Sequence, residues 1–341
     1  MIIVNSYLDK FEDKVRLSKQ NNNTRNQTSP YCDFIYYSST RTPGITLAMR
    51  ILKPEKPSYI LAGTHGWHMS IPAFEHMDKP QSKYLTVEVD MRGRAFSEGE
   101  QDCNGWELYD VIDAIEYVKK HYAEYITDPE TVYFEAGSGG GGNALAIAGK
   151  FPDYFAAVTA MCGMSDYGTW YKNDQVGEFR DEMDVWISKN PTDEMFASRS
   201  GIATLKNLFT HMTLVHGAND IRVPAYHSRN YVKRAEELGK KELVRYLEFE
   251  TVGGRDHWDN MTPEQLKQME AFCESDREAN RKPTEIPQKG TLVVAGYLFT
   301  KHFSVVMNDI NRVTTVDYDL EKGIFNVNAD SDSYTLSVYK N

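Results

Sequence analysis

The feature that most restricts how this chain can fold is the junction "TVYFEAGSGGGGNALAIAGKF", Thr131 to Phe151. A β-branched and aromatic run passes, with no linker, through five glycines around Ser138 and into an alanine-rich helical pattern. Glycine loses more backbone freedom on folding than any other residue, so five together need a local cause. A strand that turns directly into a helix supplies one, because the two segments nearly touch and a Cβ has no room. Two chemistries use such a turn: a phosphate cradle and a nucleophile held in a strained bend.

The phosphate readings fail on spacing. A loop of the form GxxxxGK[ST] is absent, since Gly142 is followed by Asn143 and Ala144 and the next lysine is Lys150. A dinucleotide GxGxxG can be forced onto the glycines, but it belongs at the first strand of a βαβ unit, and this junction comes late. The pattern that fits is small-x-Ser-x-small, Ala136-Gly137-Ser138-Gly139-Gly140, between strand and helix. There the serine is lifted above the sheet edge and the following helix presents N–H groups to a developing oxyanion.

The wider pattern predicts the frame for such a turn. Apolar runs "ITLAMRIL", "SYILAGT", "YLTVEVD", "TVYFEA", "AAVTAMCG", "MTLVHG" and "RYLEFE" alternate with helical segments, and several are too uniformly apolar to leave one face in water. In "GWELYDVIDAIEYVKKHY" the residues Leu108, Val111, Ile112, Ile115 and Val118 make one apolar face. Thr262-Pro263-Glu264-Gln265 reads as a capped helix start. The alternation predicts an α/β fold with a mostly parallel, doubly wound sheet and helices on both faces. Residues 164–210, rich in aromatics, break the rhythm and are expected to form a helical cap. Beyond the polar stretch "ESDREANRKPTEIPQKG", the runs "TLVVAGYLFT", "FSVVMN", "RVTTVDYD", "GIFNVN" and "SYTLSVYK" predict a small β-module. The expected division is a polar lead over 1–30, a catalytic unit over 31–275 and the module over 285–341.

Order and spacing then propose partners for the serine. Strand "MTLVHG" leads into Asp220 and "RYLEFE" into "TVGGRDHWD", which carries His257. Ser138 as nucleophile, Asp220 as orienting acid and His257 as general base follow in the expected chain order. Asp256 and Asp259 lie too near His257 in sequence to orient it. "ILAGTHGWHMS" ends a strand, so the backbone N–H groups of Trp67 and Gly139 are the expected oxyanion donors. His65 and His216 are read as structural.

These segments together resemble the α/β-hydrolase superfamily, in its prolyl oligopeptidase-like and esterase group. The similar features are "THGW", "DMRGRAFSEG" (Asp90 to Gly99), "AGSGGGG", "HGANDIRVP" (His216 to Pro224) and "GGRDHW", in the family's order over residues 45 to about 273. Ala95 stands where relatives carry a second glycine, and Arg92 is assigned a packing role. The resemblance implies an α/β-hydrolase fold and a serine hydrolase, and it says little of substrate. Fewer than 60 residues precede "SYILAGT", where peptidases of the group usually carry a large β-propeller. A small carboxylic ester, cleaved through an acyl-enzyme, is therefore the first expectation. A short peptide or amide substrate is the alternative, and a hydrolase-fold binding protein without activity is a third. Trp170, Tyr171, Glu178 and Trp186 of the cap are candidates for the substrate pocket, against ordinary packing or a solvated helix face.

Composition bounds the partners. The 341 residues carry 38 Lys+Arg against 49 Asp+Glu, a net charge of −11, so nucleic acid and anionic membrane surfaces are repelled. No segment has the roughly 18 apolar residues of a membrane span. The apolar run at the N-terminus is too short for a secretory leader, and the four cysteines show no CxxC or zinc spacing. The expectation is a cytoplasmic protein with reduced thiols and no metal or organic cofactor, with homo-oligomerisation left open.

Overall fold

A computed structural model describes residues 25–174 and 179–339. The first sheet comprises β1 (Gln27–Thr28), β2 (Cys32–Ser38), β3 (Thr46–Leu52), β4 (Ile60–Thr64), β5 (Leu85–Asp90), β6 (Val132–Gly137), β7 (Ala157–Met161), β8 (His211–Gly217) and β9 (Val244–Phe249). Its order is β1-β2-β3-β5-β4-β6-β7-β8-β9. β1, β2, β3 and β5 pair antiparallel, and from β5 through β9 every pairing is parallel. This is the α/β-hydrolase fold, with a separate antiparallel β-module at the C-terminus.

Helices α1 (Glu107–His121), α2 (Gly139–Lys150) and α6 (Tyr226–Glu237) cover one face. The predicted stripe of α1 is buried there with β-strand residues Ile51, Val87 and Phe134. Each such side chain contributes about 1.5–3 kcal/mol on burial, far more than a helix cap. The opposite face receives α7 (Pro263–Ala279), whose Phe272 and Cys273 meet Val215 and Phe249. Thr262 and Gln265 close the capping box that the sequence predicts for α7. Among the described residues the cap holds three short helices, α3 (Tyr167–Lys172), α4 (Arg180–Trp186) and α5 (Asp193–Ala197), packed around Trp67, Trp170, Phe179 and Met183.

The C-terminal strands β10 (Lys289–Ala295), β11 (Tyr297–Phe299), β12 (Phe303–Met307), β13 (Val313–Asp319), β14 (Ile324–Val327) and β15 (Tyr334–Val338) form one sheet in the order β14-β13-β10-β11-β12-β15. The run "TLVVAGYLFT" is two strands and not one. Gly296 breaks it at φ 73°, where a Cβ would come 2.6 Å from the Ile310 carbonyl oxygen. The module is fastened to the main unit by polar bonds as well as by packing. Asn207 both accepts from Val293 N–H at 2.8 Å and donates to its carbonyl at 2.7 Å, and Tyr297 OH donates to the Gly105 carbonyl at 2.8 Å.

At this seam the fully buried Lys150 donates to the Ala295 carbonyl and lies 4.3 Å from the centre of the Tyr297 ring. Burial, and then the positive charge of Arg199, push its ammonium pKa down to about 7. An unfolded lysine stays protonated to about pH 10.4. Between about pH 7 and 10 the unfolded chain therefore holds a proton that the native one lacks, and stability rises with pH by up to about 1.4 kcal/mol per unit. Wild type should gain thermal stability over Lys150→Met as the pH is raised from 7 to 10 in melting experiments, and parallel curves would show that Lys150 is not linked to folding.

Candidate active site

Five loops reach the same rim, where the parallel strands end at their carboxyl sides. Ser138 follows β6, Trp67 follows β4, Arg94 follows β5, Asp220 follows β8 and His257 follows β9. The strand-to-helix bend at Ser138 has φ 57° and ψ −122°, a conformation costing a non-glycine residue about 1–3 kcal/mol. Close packing explains four of the five glycines. A Cβ on Gly139 would sit 2.5 Å from the Trp67 nitrogen, and one on Gly141 2.5 Å from the Met161 carbonyl oxygen. Gly140 is pressed against Ala136 and Thr64, and Gly142 against the Met164 sulfur. Gly137 has ordinary contacts.

The structure brings the three predicted side chains together. Ser138 Oγ lies 2.8 Å from His257 Nε2, and His257 Nδ1 lies 2.6 Å from Asp220 Oδ2. The other carboxylate oxygen of Asp220 accepts from the N–H groups of Arg222 at 2.9 Å and Val223 at 3.0 Å. Burial opposes ionisation of Asp220, but the neighbouring His216 ring, 3.6 Å away, and the hydrogen bond from His257 outweigh it and hold the carboxyl well below its usual range. An ionised Asp220 accepts the Nδ1 proton and leaves Nε2 free to take one from Ser138. Asp256 and Asp259 instead brace the histidine loop, Asp256 N–H donating to Asp259 Oδ2 at 3.1 Å.

His216 and His65 have structural partners. His216 Nε2 donates to the Val223 carbonyl at 2.7 Å, so its Nδ1 accepts from Ser228 OH at 2.7 Å. The ring thus ties the acid loop to α6. His65 Nε2 accepts from Met91 N–H at 3.1 Å, which puts the proton on Nδ1, and Nδ1 donates to the Gly66 carbonyl at 2.8 Å. Cys162 offers its sulfur within 4.8 Å of the Asp220 and His257 ligand atoms. Burial, and then the charge of Asp220, push that thiol's pKa up, while the carboxylate and the imidazole beside it are engaged in the hydrogen-bonded line to Ser138. Arg92 packs as expected, its guanidinium paired with Asp110 at 2.6 and 2.8 Å.

The backbones of Trp67 and Gly139 lie against each other beside Ser138, and neither N–H is bonded to a protein acceptor among the described residues. The pocket candidates divide. Trp186 lines a cavity together with Gly66, Trp67, Gly139, Asn143, Arg94, Cys103 and Glu107. Trp170 does not serve as a lining residue: it is 1% exposed, in the cap core, its indole N–H donating to the Arg222 carbonyl. Tyr171 is also turned away, its hydroxyl 2.8 Å from Asp184 and its ring against Phe196. Glu178 lies outside the described residues. Glu182, which the sequence offers with Glu178 and Asp181 in "DQVGEFRDEMD" as an acid to hold a substrate amine or as part of a solvated helix face, is neither exposed nor free: it is buried and accepts from the Trp67 indole N–H. Sequence reasoning missed one residue. Arg94 read as part of a charged loop, yet it is buried beside the candidate oxyanion site.

Among solved structures, the Pyrococcus horikoshii acylaminoacyl peptidase is 22% identical with a TM-score of 0.62, over 76% of this chain and 43% of that one. A puromycin-hydrolyzing peptidase of Mycobacterium tuberculosis is 18% identical with a TM-score of 0.57, over 74% of this chain and 39% of that one. A Pyrococcus furiosus esterase is 11% identical with a TM-score of 0.53, over 76% of this chain and 92% of that one. The chain thus spans less than half the length of the two peptidases, and at these identities the likeness speaks for the fold. No curated protein sequence matches it. The model of the prolyl oligopeptidase family matches residues 84–276, more than half of the chain and a stretch that holds Ser138, Asp220 and His257. With that match added to the fold, the chain belongs to the prolyl oligopeptidase family of serine hydrolases.

Proposed function

We propose that this protein is a peptidase or amidase that cleaves short peptides or related amides through an acyl-enzyme on Ser138. The observation that carries this reading is the hydrogen-bonded line from Ser138 through His257 to Asp220, at 2.8 and 2.6 Å. His257 Nε2 takes the hydroxyl proton as Oγ attacks the carbonyl carbon, and then gives it to the departing nitrogen. His257 Nε2, free again once the amine has left, takes a proton from a water that attacks the acyl-enzyme and releases the acid. Asp220 stays ionised throughout and stabilises the imidazolium.

The oxyanion would accept from Trp67 and Gly139 N–H groups, and His65 supports the first. In a trans peptide the carbonyl and the N–H point in opposite directions. The Gly66 carbonyl accepts from His65 Nδ1 at 2.8 Å and from Met69 N–H at 3.1 Å. Fixing that oxygen fixes the direction of the Trp67 N–H on the far side of the same peptide unit. The N-terminus of α2 adds its dipole at Gly139.

The choice of an amide over an ester rests on the family and on the printed activities of the two peptidases. The small-ester expectation depended on the few residues before β4, and that length does not bear on which bond is cleaved. Esterase activity remains the second reading, favoured by the esterase of similar fold.

Four outcomes are expected. A fluorophosphonate should label Ser138, and Asp220→Asn should lower kcat about 10³- to 10⁴-fold with little change in melting temperature. Near-normal turnover in that variant would place the acid elsewhere. Short peptide p-nitroanilides should be cleaved and Ser138→Ala should abolish it, whereas turnover of p-nitrophenyl esters alone would favour the esterase reading. His65→Leu should lower kcat about 10- to 100-fold with KM little altered, a smaller loss than deleting an oxyanion donor outright; a change confined to KM would refute the positioning role.

A further inference from the structure

The crossovers from β5 to β6, β6 to β7 and β8 to β9 carry α1, α2 and α6, whereas residues 65–84, between β4 and β5, form no helix or strand. One face of the sheet shows the consequence. There α7 covers β7, β8 and β9, and the crossover covers β2 and β3 through Ile71 and Met77. Between these two covers a groove of ≈ 430 Å³ remains, floored by Leu61, Thr86, Glu88 and Glu135 and walled by Met69 and Pro72. That volume lies in the range of small-molecule sites.

The polar groups of the groove are already matched. Glu88 accepts from Arg50 Nε and, at 3.0 Å, from Arg50 Nη2; Glu135 is paired with Arg277 of α7; Thr86 OH donates to Ser82 at 2.9 Å. A charged ligand would meet carboxylates that have their counter-charges. Leu61, Met69, Ile71 and Pro72 have no such partner to lose, and an apolar group gains by displacing water from them.

The groove also adjoins the nucleophile. Glu135 stands three residues before Ser138 on β6. Met69, at 61% the most exposed large apolar side chain among the described residues, carries its sulfur 3.2 Å from where a Cβ on Gly66 would sit, a point 3.8 Å from Ser138 Cβ. His257 comes from the same face of the sheet, since the adjoining Trp258 packs with Val215 and Phe249 beside α7. The cap lies towards the other face, where Met164 and Tyr167 meet Gly142 of α2. A departing nitrogen must lie beside His257, which protonates it, so the group it carries is directed to the side of the groove.

Resting on the acyl-enzyme reading of Ser138, we propose that this groove is the leaving-group subsite and takes a large apolar side chain on the residue whose amine departs. From Thr64 at the rim to Leu61 the strand runs about 10 Å, which accommodates a leucine or phenylalanine side chain.

The test uses the reverse of the leaving step. An acetyl group is loaded on Ser138 from p-nitrophenyl acetate, and an added amine competes with water for it. The amine nitrogen attacks the acyl carbon, His257 Nε2 takes its proton and returns it to Ser138 Oγ as the C–Oγ bond breaks, and an N-acetyl amide is released. At equal concentrations of free amine, the initial ratio of transfer to hydrolysis should be at least about tenfold higher for leucinamide than for glycinamide. Lysinamide should fall below leucinamide, and Met69→Ser should lose most of the preference. Because the ratio is internal to each variant, a slower Met69→Ser enzyme does not disturb it. Equal transfer to leucinamide and glycinamide, no transfer to either, a preference for lysinamide, or a leucinamide preference left intact by Met69→Ser overturns the proposal. Equal transfer together with a dimer in sedimentation that Met69→Ser dissociates would assign the groove to a second copy instead. If Ser138→Ala releases p-nitrophenol as fast as wild type before any amine is added, the acyl-enzyme reading itself has failed and the proposal falls with it.

Discussion

The contact on which the rest depends is the near-touch of β6, α2 and the loop after β4 around Ser138. The glycine-rich start of α2 lets the Gly139 backbone lie against that of Trp67, so that a Cβ there would fall 2.5 Å from the Trp67 nitrogen. One close approach therefore does two things. It lifts the hydroxyl into the bend, at a cost of about 1–3 kcal/mol in backbone strain, and it sets the backbones of the two proposed oxyanion donors side by side. The parallel sheet beneath holds that strain because Val132, Phe134, Ala144 and Ile147 are buried in the main core. Several side chains at about 1.5–3 kcal/mol each outweigh one strained residue.

Electrostatics complete the rim in an ordered way. Asp220 is buried, and desolvation alone would drive it towards the neutral acid. The polar His216 ring beside it and the hydrogen bonds from His257 and from the Val223 backbone reverse that tendency. His216 anchors the loop that carries the acid, and His257 passes its polarity to the hydroxyl. Loop residues thereby behave as rigid elements, since Asn219 N–H and Ile221 N–H donate to the Val252 and Gly254 carbonyls of the histidine loop.

What the sequence made legible follows the strength of local signals. The run of β3 was readable because its residues are almost all buried although it pairs antiparallel, those from β4 to β9 because the strands of the parallel part of the sheet are covered by helices on one or both faces, and the face of α1 because its period is helical. The order of Ser138, Asp220 and His257 was readable because each follows a recognisable strand. β2 was passed over: "CDFIYYS" comes straight after a polar lead, pairs antiparallel with β3 and has no crossover helix to announce it. Residues whose meaning depends on what packs over them could not be read. Arg94 in "DMRGRAFSEG" and Glu182 in "DQVGEFRDEMD" look like solvated charges, and only tertiary packing buries them. Trp170 misled in the other direction, because an aromatic residue in a cap lines a pocket or fills a core with equal local signal.

Trp67 joins these levels in one residue. Its backbone nitrogen lies against Gly139 as the proposed oxyanion donor, while its indole is the centre of the cap cluster, 4.9 Å from Trp170, 5.2 Å from Trp186 and 6.2 Å from Phe179 between ring centres. The indole N–H donates to Glu182 of α4, and that carboxylate also meets His68 Nδ1 at 3.2 Å. Burial raises the pKa of Glu182, and the bonds from His68 and Trp67 act to keep it charged. The cap core and the candidate oxyanion donor thus meet in one residue, its backbone held through the Gly66 carbonyl by His65 and Met69 and its indole held by the aromatic cluster of the cap.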